Sequence, residues 1–209
     1  MGINTESVNK QIYDLIKKDI LERRLRPGEK IDTKGIAEHN HVSVMPVRDA
    51  LQQLVISGLV LNRERVGFFV RKFSADEISQ IMEMRIMFEL HCMRKHLWAI
   101  DKARVRSLLE QVEQATSYVE LDELDNTIHR TIVLASHNPF LIDEYDNLSA
   151  LFSLGVFGGE EENVYTAKAE HIEILKAILD DDAERATSLL CWHLKRARDE
   201  IVGMYKEEI

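Results

Sequence analysis

Three histidines and one aspartate in this 209-residue chain have the types and the spacing of a metal site. Asp125 and His129 are four residues apart, which places both side chains on one face of a helix. His171 and His193 lie in two later segments, each on a predicted helix face with aliphatic neighbours. All four side chains are therefore expected to point into a helical core.

The positions of His171 and His193 along the chain provide a second test. If Asp180 to Asp182 form the turn of an antiparallel hairpin, His171 lies ten residues before Asp181 and His193 twelve after it. At a rise of about 1.5 Å per residue, the two imidazoles are nearly level across the hairpin. A third helix carrying the aspartate and the other histidine completes a set that suits zinc first, and also nickel, manganese or iron(II).

Each of these residues also has a simpler interpretation. A single histidine on an apolar helix face is more often a hydrogen-bonded core residue than a ligand. Asp125 and His129 could form an ordinary hydrogen bond within one helix. These interpretations do not explain why all four side chains should converge on one place, and this convergence favours a metal site. His91, His96 and His137 lack such support and are expected to be structural or surface residues.

The segment after Phe73 is predicted to be entirely helical, because its apolar residues recur at helical spacing. Asn138-Pro139 and Gly155 to Asn163 are the clearest loops. The six predicted helices are Ala75–Trp98, Asp101–Tyr118, Leu121–Ser136, Pro139–Phe157, Val164–Leu179 and Ala183–Lys206.

The first 73 residues have a different pattern, in which three short helices precede two short strands. The helices are expected over Ser7–Arg24, Thr33–Asn40 and Val42–Ser57, and the strands over Leu59–Asn62 and Phe68–Arg71. This order describes a winged helix-turn-helix. The predicted fold is mainly α, with a winged helix-turn-helix over residues 1–73 and an all-α antiparallel bundle over residues 74–209.

The helix-turn-helix geometry identifies the residues that would contact DNA. The start of its second helix enters the major groove, so Ser43 and free backbone N–H groups would meet phosphate and Arg48 would reach phosphate or guanine. For any single one of these residues, a solvated surface role is the alternative. The predicted DNA-binding residues are Lys34, Ser43, Pro46, Arg48, Arg65 and Gly67.

Charge and composition agree with two unlike domains. Residues 1–73 carry a net charge of +4 and residues 74–209 one of −13, although the whole chain is at −9. A basic module favours phosphate, and an acidic one favours solubility. No apolar run is long enough to span a membrane, and two cysteines without a CxxC spacing, Cys92 and Cys191, fit a reducing cytoplasm.

The N-terminal motifs are similar to those of the GntR-family winged helix. They are Pro27-Gly28-Glu29-Lys30, Val42-Ser43, Pro46-Val47-Arg48-Asp49-Ala50-Leu51, Gly58-Leu59-Val60 and Gly67-Phe68-Phe69-Val70. Two departures matter. Val44 replaces the usual arginine, which implies an unusual operator. His41 replaces the usual glycine and needs a turn that histidine tolerates less easily.

The C-terminal motifs resemble the FCD effector domain of the FadR branch of GntR regulators, in its six-helix VanR-like form. They are Met84-Arg85 with Glu89, Asp125-x-x-x-His129, Glu170-His171-x-x-Ile174-Leu175 and His193. The resemblance implies a metal held by the four residues above, with positions left for a small carboxylate effector. Arg85 is expected to help neutralise that effector, or else to form a surface pair with Glu89.

Three functions follow as candidates. The first is a regulator, expected to be a repressor, that binds a palindromic operator as a homodimer and responds to an organic acid. The second is a regulator whose signal is the metal itself. The third, a metal-dependent enzyme, is disfavoured because the nominal acid–base residue Glu170 is expected about 100° around its helix, away from the site.

Overall fold

A computed structural model describes residues 7–155 and 161–207 of the chain. These residues form two compact units, one of residues up to Phe73 together with Ser153–Gly155, the other of the remainder. The described elements are α1 (Val8–Leu21), α2 (Thr33–His39), α3 (Val44–Ile56), β1 (Val60–Arg63), β2 (Gly67–Val70), α4 (Ala75–His96), α5 (Lys102–Gln114), α6 (Tyr118–Leu134), α7 (Pro139–Gly155), α8 (Glu161–Leu179) and α9 (Ala183–Glu207).

The N-terminal unit is the predicted winged helix-turn-helix. Ser7 caps α1, and the Asp32 carboxylate caps α2 by accepting from the backbone N–H groups of Lys34 and Gly35 at 3.1 and 3.0 Å. The strands β1 and β2 pair antiparallel, with Val60 opposite Val70. The core is formed by buried aliphatic side chains of the three helices and the hairpin: Ile12, Ile16, Ile20, Ala37, Val47, Leu51, Leu54, Val60 and Val70.

The segment before α2 extends this sheet, which the sequence did not predict. The N–H of Ile31 donates to the carbonyl of Phe68 at 2.9 Å, and the N–H of Val70 donates to the carbonyl of Glu29 at 2.9 Å. Lys30 forms an isolated antiparallel bridge with Phe69. The turn at Pro27-Gly28 precedes this segment; Gly28 has a φ of 82°, and its N–H donates to the carbonyl of Val70 at 2.9 Å.

The C-terminal unit consists of α4 to α9 without the last three residues of α7, and these helices correspond to the six predicted ones. Its core includes buried side chains from all six helices, among them Met93, Leu108, Ile132, Tyr145, Ile174 and Leu190. The α8–α9 turn is the predicted Asp180 to Asp182 segment, in which Asp181 has a φ of 59°. None of the described helices is long and apolar enough to cross a membrane.

Several predicted helix ends were wrong, for local reasons. The predicted break between the second and third bundle helices at 118–121 lies instead at residues 115–117. Ser117 and Glu120 form a capping box there, which starts α6 at Tyr118. The first bundle helix ends at His96 rather than Trp98, because Leu97–Ala99 is a 3-10 turn. Residues 156–160 of the predicted loop lie outside the described residues, and α8 begins at Glu161 rather than Val164.

Candidate metal centre and DNA-binding surface

The structure brings together the four predicted ligands, Asp125, His129, His171 and His193. One donor atom from each lies within 4.8 Å of all the others. The Nε2 atom of His129 is 3.2 Å from the Nε2 atoms of both His171 and His193. The Asp125 Oδ1 atom is 3.6 Å from His129 Nε2 and 3.4 Å from His171 Nε2.

These separations fit a single cation. Ligand bonds of about 2.1 Å in a tetrahedral arrangement place donor atoms about 3.4 Å apart. The three imidazoles are buried, and Asp125 is partly exposed. Three nitrogen lone pairs and a carboxylate thus converge in a mostly buried place. A bound cation is the partner that best satisfies such a cluster of electron-pair donors.

Two further carboxylates fix the orientation of the imidazoles. Glu89 Oε2 lies 2.5 Å from His129 Nδ1, and Glu170 Oε2 lies 2.5 Å from His193 Nδ1. Both glutamates have pKa values below the ordinary range, so their oxygens only accept and each Nδ1 carries the proton. The Nε2 atoms of both rings therefore present lone pairs to the cluster, as metal ligands must.

Ionisation of the cluster follows from burial and from the neighbouring charges. Burial and the neighbouring imidazole of His193 hold the pKa of His171 well below its ordinary value, and burial also lowers the pKa of His193. Burial disfavours the Asp125 carboxylate, but His129, His171 and Arg85 outweigh it and hold its pKa well below the usual range. Burial also opposes charge on His129, yet Glu89 raises its pKa. A metal ion at the Nε2 atom of His129 thus competes with a proton for the same lone pair.

Glu89 is at the centre of a buried network that reaches three helices. It is fully buried, and its Oε1 accepts from Arg85 Nε at 2.8 Å and from the Tyr145 hydroxyl at 2.8 Å. Burial opposes its charge, but His129 and Arg85 lower its pKa to about 2. The surface alternative for the Arg85–Glu89 pair is wrong, since Arg85 is only 4% exposed. Arg85 also lies 3.5 Å from Asp125.

Glu170 does contact the site, which corrects the expectation that it lies away from it. It faces the neighbouring helix α9 rather than the interior of the cluster, and there it holds His193. Arg196 donates to the same carboxylate through Nε at 2.5 Å and Nη2 at 2.8 Å, and to Glu200 through Nη1 at 2.6 Å. The Glu170 carboxylate is therefore an orienting group and not an acid or base aimed into the cluster.

A cavity that opens to solvent adjoins the cluster, and the space within it, including open solvent, is about 940 Å3. Asp125, His171 and His193 form part of its wall, as does Arg85. Much of the remaining wall is aliphatic, with side chains such as Leu121, Leu194 and Ile201.

The remaining histidines and the cysteines stand apart from this cluster. His91 and His137 are exposed, and the His91 ring lies 6.0 Å from that of His96. Cys92 is buried and Cys191 half-buried, and both are free thiols. Burial raises the pKa of Cys92 to about 11.

In the N-terminal unit, the start of α3 is open to solvent. Ser43 is the N-cap residue but makes no side-chain capping hydrogen bond, which leaves its exposed hydroxyl available to another acceptor or donor. Arg48 is exposed one turn further along, and Pro46 lies in the first turn. Val44 and Met45 are 39% and 63% exposed. The side chains that a groove would meet here are therefore partly apolar.

The other predicted DNA contacts flank this helix. Lys34 is exposed in the first turn of α2, and Arg65 is exposed at the tip of the hairpin with a φ of 59°. Gly67 has a φ of 127°, and a Cβ there would meet the Lys30 side chain at 3.4 Å. His41 occupies the turn before α3 with a φ of 54°, the left-handed conformation its position was expected to require.

Comparison with known families identifies the chain. Residues 8–70 match the gntR family of bacterial regulatory proteins, and residues 80–196 match the FCD domain. The second match alone covers more than half of the chain. The protein belongs to the GntR family of bacterial transcriptional regulators and carries an FCD domain; members of this family regulate transcription and are not enzymes.

Individual relatives agree with this assignment, two of them along nearly the whole chain. The transcriptional repressor RspR of Escherichia coli K12 is 24% identical over 97% of this chain and 92% of its own. A GntR regulator from Rhodococcus sp. RHA1 has the same fold, with a TM-score of 0.80 and 22% identity over 95% of this chain and 99% of its own. The Zn2+-bound FCD domain of TM0439 matches 63% of this chain and 95% of its own, with a TM-score of 0.54 and 22% identity.

Proposed function

We propose that this regulator is a homodimeric repressor with a divalent metal, zinc in the first instance, in an effector pocket for a small carboxylate. The observation that carries the proposal is the convergence of four donor atoms within 4.8 Å beside a cavity, in a chain that also has a winged helix. Asp125, His129, His171 and His193 would hold the metal, which would supply a Lewis acid to bind a carboxylate. Similarity to a Zn2+-bound FCD domain supports this choice.

The donor set supports zinc but also accepts its neighbours. Three imidazoles and one carboxylate are borderline ligands, which zinc, nickel, manganese and iron(II) all accept. Four protein ligands fill a tetrahedral zinc site, whereas a five- or six-coordinate ion retains positions for an effector. The effector proposal thus requires either an expanded zinc coordination shell or one of the other metals.

The DNA-binding half of the proposal rests on symmetry. Two winged helices related by a two-fold axis read a palindrome, with α3 of each in the major groove. Lys34, Ser43, Pro46 and Arg48 would lie along the backbone and groove, while Arg65 and Gly67 would form the tip of the wing. The exposed Met84 and Met87 of α4, 48% and 67% accessible, offer apolar surface to a partner subunit. Similarity to the repressor RspR supports repression rather than activation.

A melting experiment tests the sensing half. Chelation should lower the melting temperature of the full-length protein, and a subset of organic acids should raise it only when metal is present. A regulator that senses the metal itself would show the first effect and not the second. If chelation changes neither stability nor operator affinity, the metal proposal fails.

A binding experiment tests the operator half. A labelled palindromic fragment should bind two chains cooperatively, and a fragment with one half-site should bind much more weakly. Full affinity of a monomer for a single half-site would contradict the dimer proposal. Sedimentation of the free protein provides an independent measure of the subunit number.

A further inference from the structure

We infer that the cavity beside the cluster takes an amphipathic monocarboxylate, with one anionic head at the histidine end and an apolar tail. This inference rests on the proposed function, because it names the class of effector for the same pocket. It depends on two properties of the wall, namely how its charges are paired and where its apolar side chains lie.

Every cation that lines the cavity already has a partner. Arg85 is bound to Glu89 and lies near Asp125, while its guanidinium carbon lies 4.5 Å from the centre of the Phe152 ring. Arg196 is bound by two glutamates. The third cation, Lys168, donates to the backbone carbonyls of residues 113 and 115 at 3.1 and 2.8 Å. All three cations of the described cavity wall are therefore already held by protein groups, Lys168 by neutral carbonyls and the two arginines by carboxylates.

The sum of charges leads to the same conclusion. The three cations of the wall are matched by three carboxylates, those of Asp122, Asp125 and Glu200. Behind the histidines, Glu89 and Glu170 add two negative charges. A divalent cation among the four ligands would bring this set to neutrality. One carboxylate of an effector then makes the pocket singly negative, and a second one adds a buried charge without a partner, which is costly.

The apolar part of the wall extends in one direction from the cluster. Ala167 lies four residues before His171 on α8, and Leu121 lies four residues before Asp125 on α6. On α9, which runs the opposite way to α8, Ile201 lies eight residues after His193. At a rise of about 1.5 Å per residue, these positions are roughly 6–12 Å from the cluster.

Three more side chains, Val112, Leu124 and Met204, complete this apolar end. A tail of several carbon atoms that extends from the head group would lie among them. Burial of each methylene in such surroundings tightens binding by about fourfold. The pocket should therefore prefer a longer monocarboxylate to a short one, up to the length at which the tail reaches the mouth.

The test compares acids of equal length and different charge. Acetate, butyrate, hexanoate and octanoate are titrated calorimetrically into metal-loaded full-length protein, alongside hexanedioate and octanedioate. We expect affinity to rise from acetate to hexanoate or octanoate, and each dicarboxylate to bind at least tenfold more weakly than its monocarboxylate. Equal or tighter binding of the dicarboxylates, or affinity independent of tail length, would overturn the inference. If no acid, acetate included, binds in a metal-dependent way, the proposed function fails as well.

Two variants test the wall directly. Leu124→Lys and Met204→Lys each add a cation to the apolar end, at half-buried positions where the long side chain can reach water. Either substitution should weaken octanoate binding and strengthen octanedioate binding. The ratio of the octanoate affinity to the octanedioate affinity should fall at least tenfold. Val119→Lys is the matched control, since Val119 is 64% exposed on α6 and outside the wall, and its ratio should stay that of the wild type. Unchanged ratios in folded Leu124→Lys and Met204→Lys proteins would contradict the inference.

Discussion

Replacement of Glu170 should weaken metal binding although this residue is not one of the four proposed ligands. Its carboxylate lies 2.5 Å from His193 Nδ1 and is held from the other side by Arg196. In Glu170→Ala the imidazole loses the acceptor that fixes its proton on Nδ1, so the ring is free to rotate and to carry its proton on Nε2. Loss of such an orienting group typically costs 10–100-fold in metal affinity. We expect about 100-fold here, which corresponds to roughly 2.7 kcal/mol.

The conservative variant should fall between Glu170→Ala and the wild type. In Glu170→Gln a single amide oxygen replaces two carboxylate oxygens, and Arg196 and His193 both need an acceptor. One of them loses its partner, so the loss should be about tenfold. Glu173→Gln removes the same charge from α8 at a 45% exposed side chain that pairs with Arg185, and it should stay within twofold of the wild type.

The assay is competition for zinc between the protein and a fluorescent chelator, at fixed pH and ionic strength. Urea unfolding of each metal-free variant separates an effect on metal from a general loss of stability. Equal affinity of Glu170→Ala, Glu173→Gln and the wild type would refute the argument that Glu170 orients a ligand. If Glu170→Ala lowers the free energy of unfolding of the metal-free protein but leaves its zinc affinity unchanged, Glu170 has only a structural role.

Three further predictions concern the N-terminal unit. Arg48→Ala should weaken operator binding by roughly 1–3 kcal/mol in fluorescence anisotropy; Arg94→Ala, exposed on α4, is its control, and equal binding of both would remove Arg48 from the interface. Val44→Arg should enrich guanine at one position of each half-site in a selection from random DNA, whereas an unchanged selected sequence would show that residue 44 does not face a base. His41→Gly should raise the free energy of unfolding by about 0.5–1 kcal/mol, because glycine adopts the left-handed conformation of residue 41 without strain. The greater entropy of glycine in the unfolded chain offsets part of this gain. His41→Ala, which keeps the strain, should give no such gain in the same urea titration.

The sequence predicted the inner part of the site because that part depends on helical period and chain length alone. Asp125 and His129 share a face four residues apart, and the turn at Asp181 brings His171 level with His193. Neither argument requires knowledge of how the helices are rotated against one another. The four residues therefore converge as predicted, and their role as metal ligands is proposed from that convergence.

The outer part of the site was not predictable in this way. Glu170 is about 100° around α8 from His171, so its position alone points away from the cluster. It reaches His193 because α9 packs on that side, which is a property of the packed bundle. Glu89 presented the same difficulty, since an Arg85–Glu89 pair four residues apart has the same sequence signature at the surface as in a core. Contacts of α4 with α6 and α7, through His129 and Tyr145, decide between the two.

Local errors in the fold have similarly specific causes. The Ser117–Glu120 capping box is visible in the sequence as Ser-x-x-Glu, a signal that marks the start of α6 correctly. The strand-like segment at Glu29 to Ile31 could not be found in the same way. Its partners at Phe68 and Val70 lie about 40 residues away, and it is too short to show an alternating pattern.

Metal stoichiometry tests the central proposal most directly. The full-length chain is stripped with a chelator, then titrated with Zn2+ by calorimetry while its melting temperature is recorded. We predict one ion per chain and, at about 1,000-fold excess over the dissociation constant, a rise on the order of 10 °C. His171→Ala should abolish both effects, whereas His91→Ala, which changes an exposed histidine outside the cluster, should preserve them. Absence of stoichiometric binding, or equal binding by both variants, would contradict the assignment of Asp125, His129, His171 and His193 as a metal site.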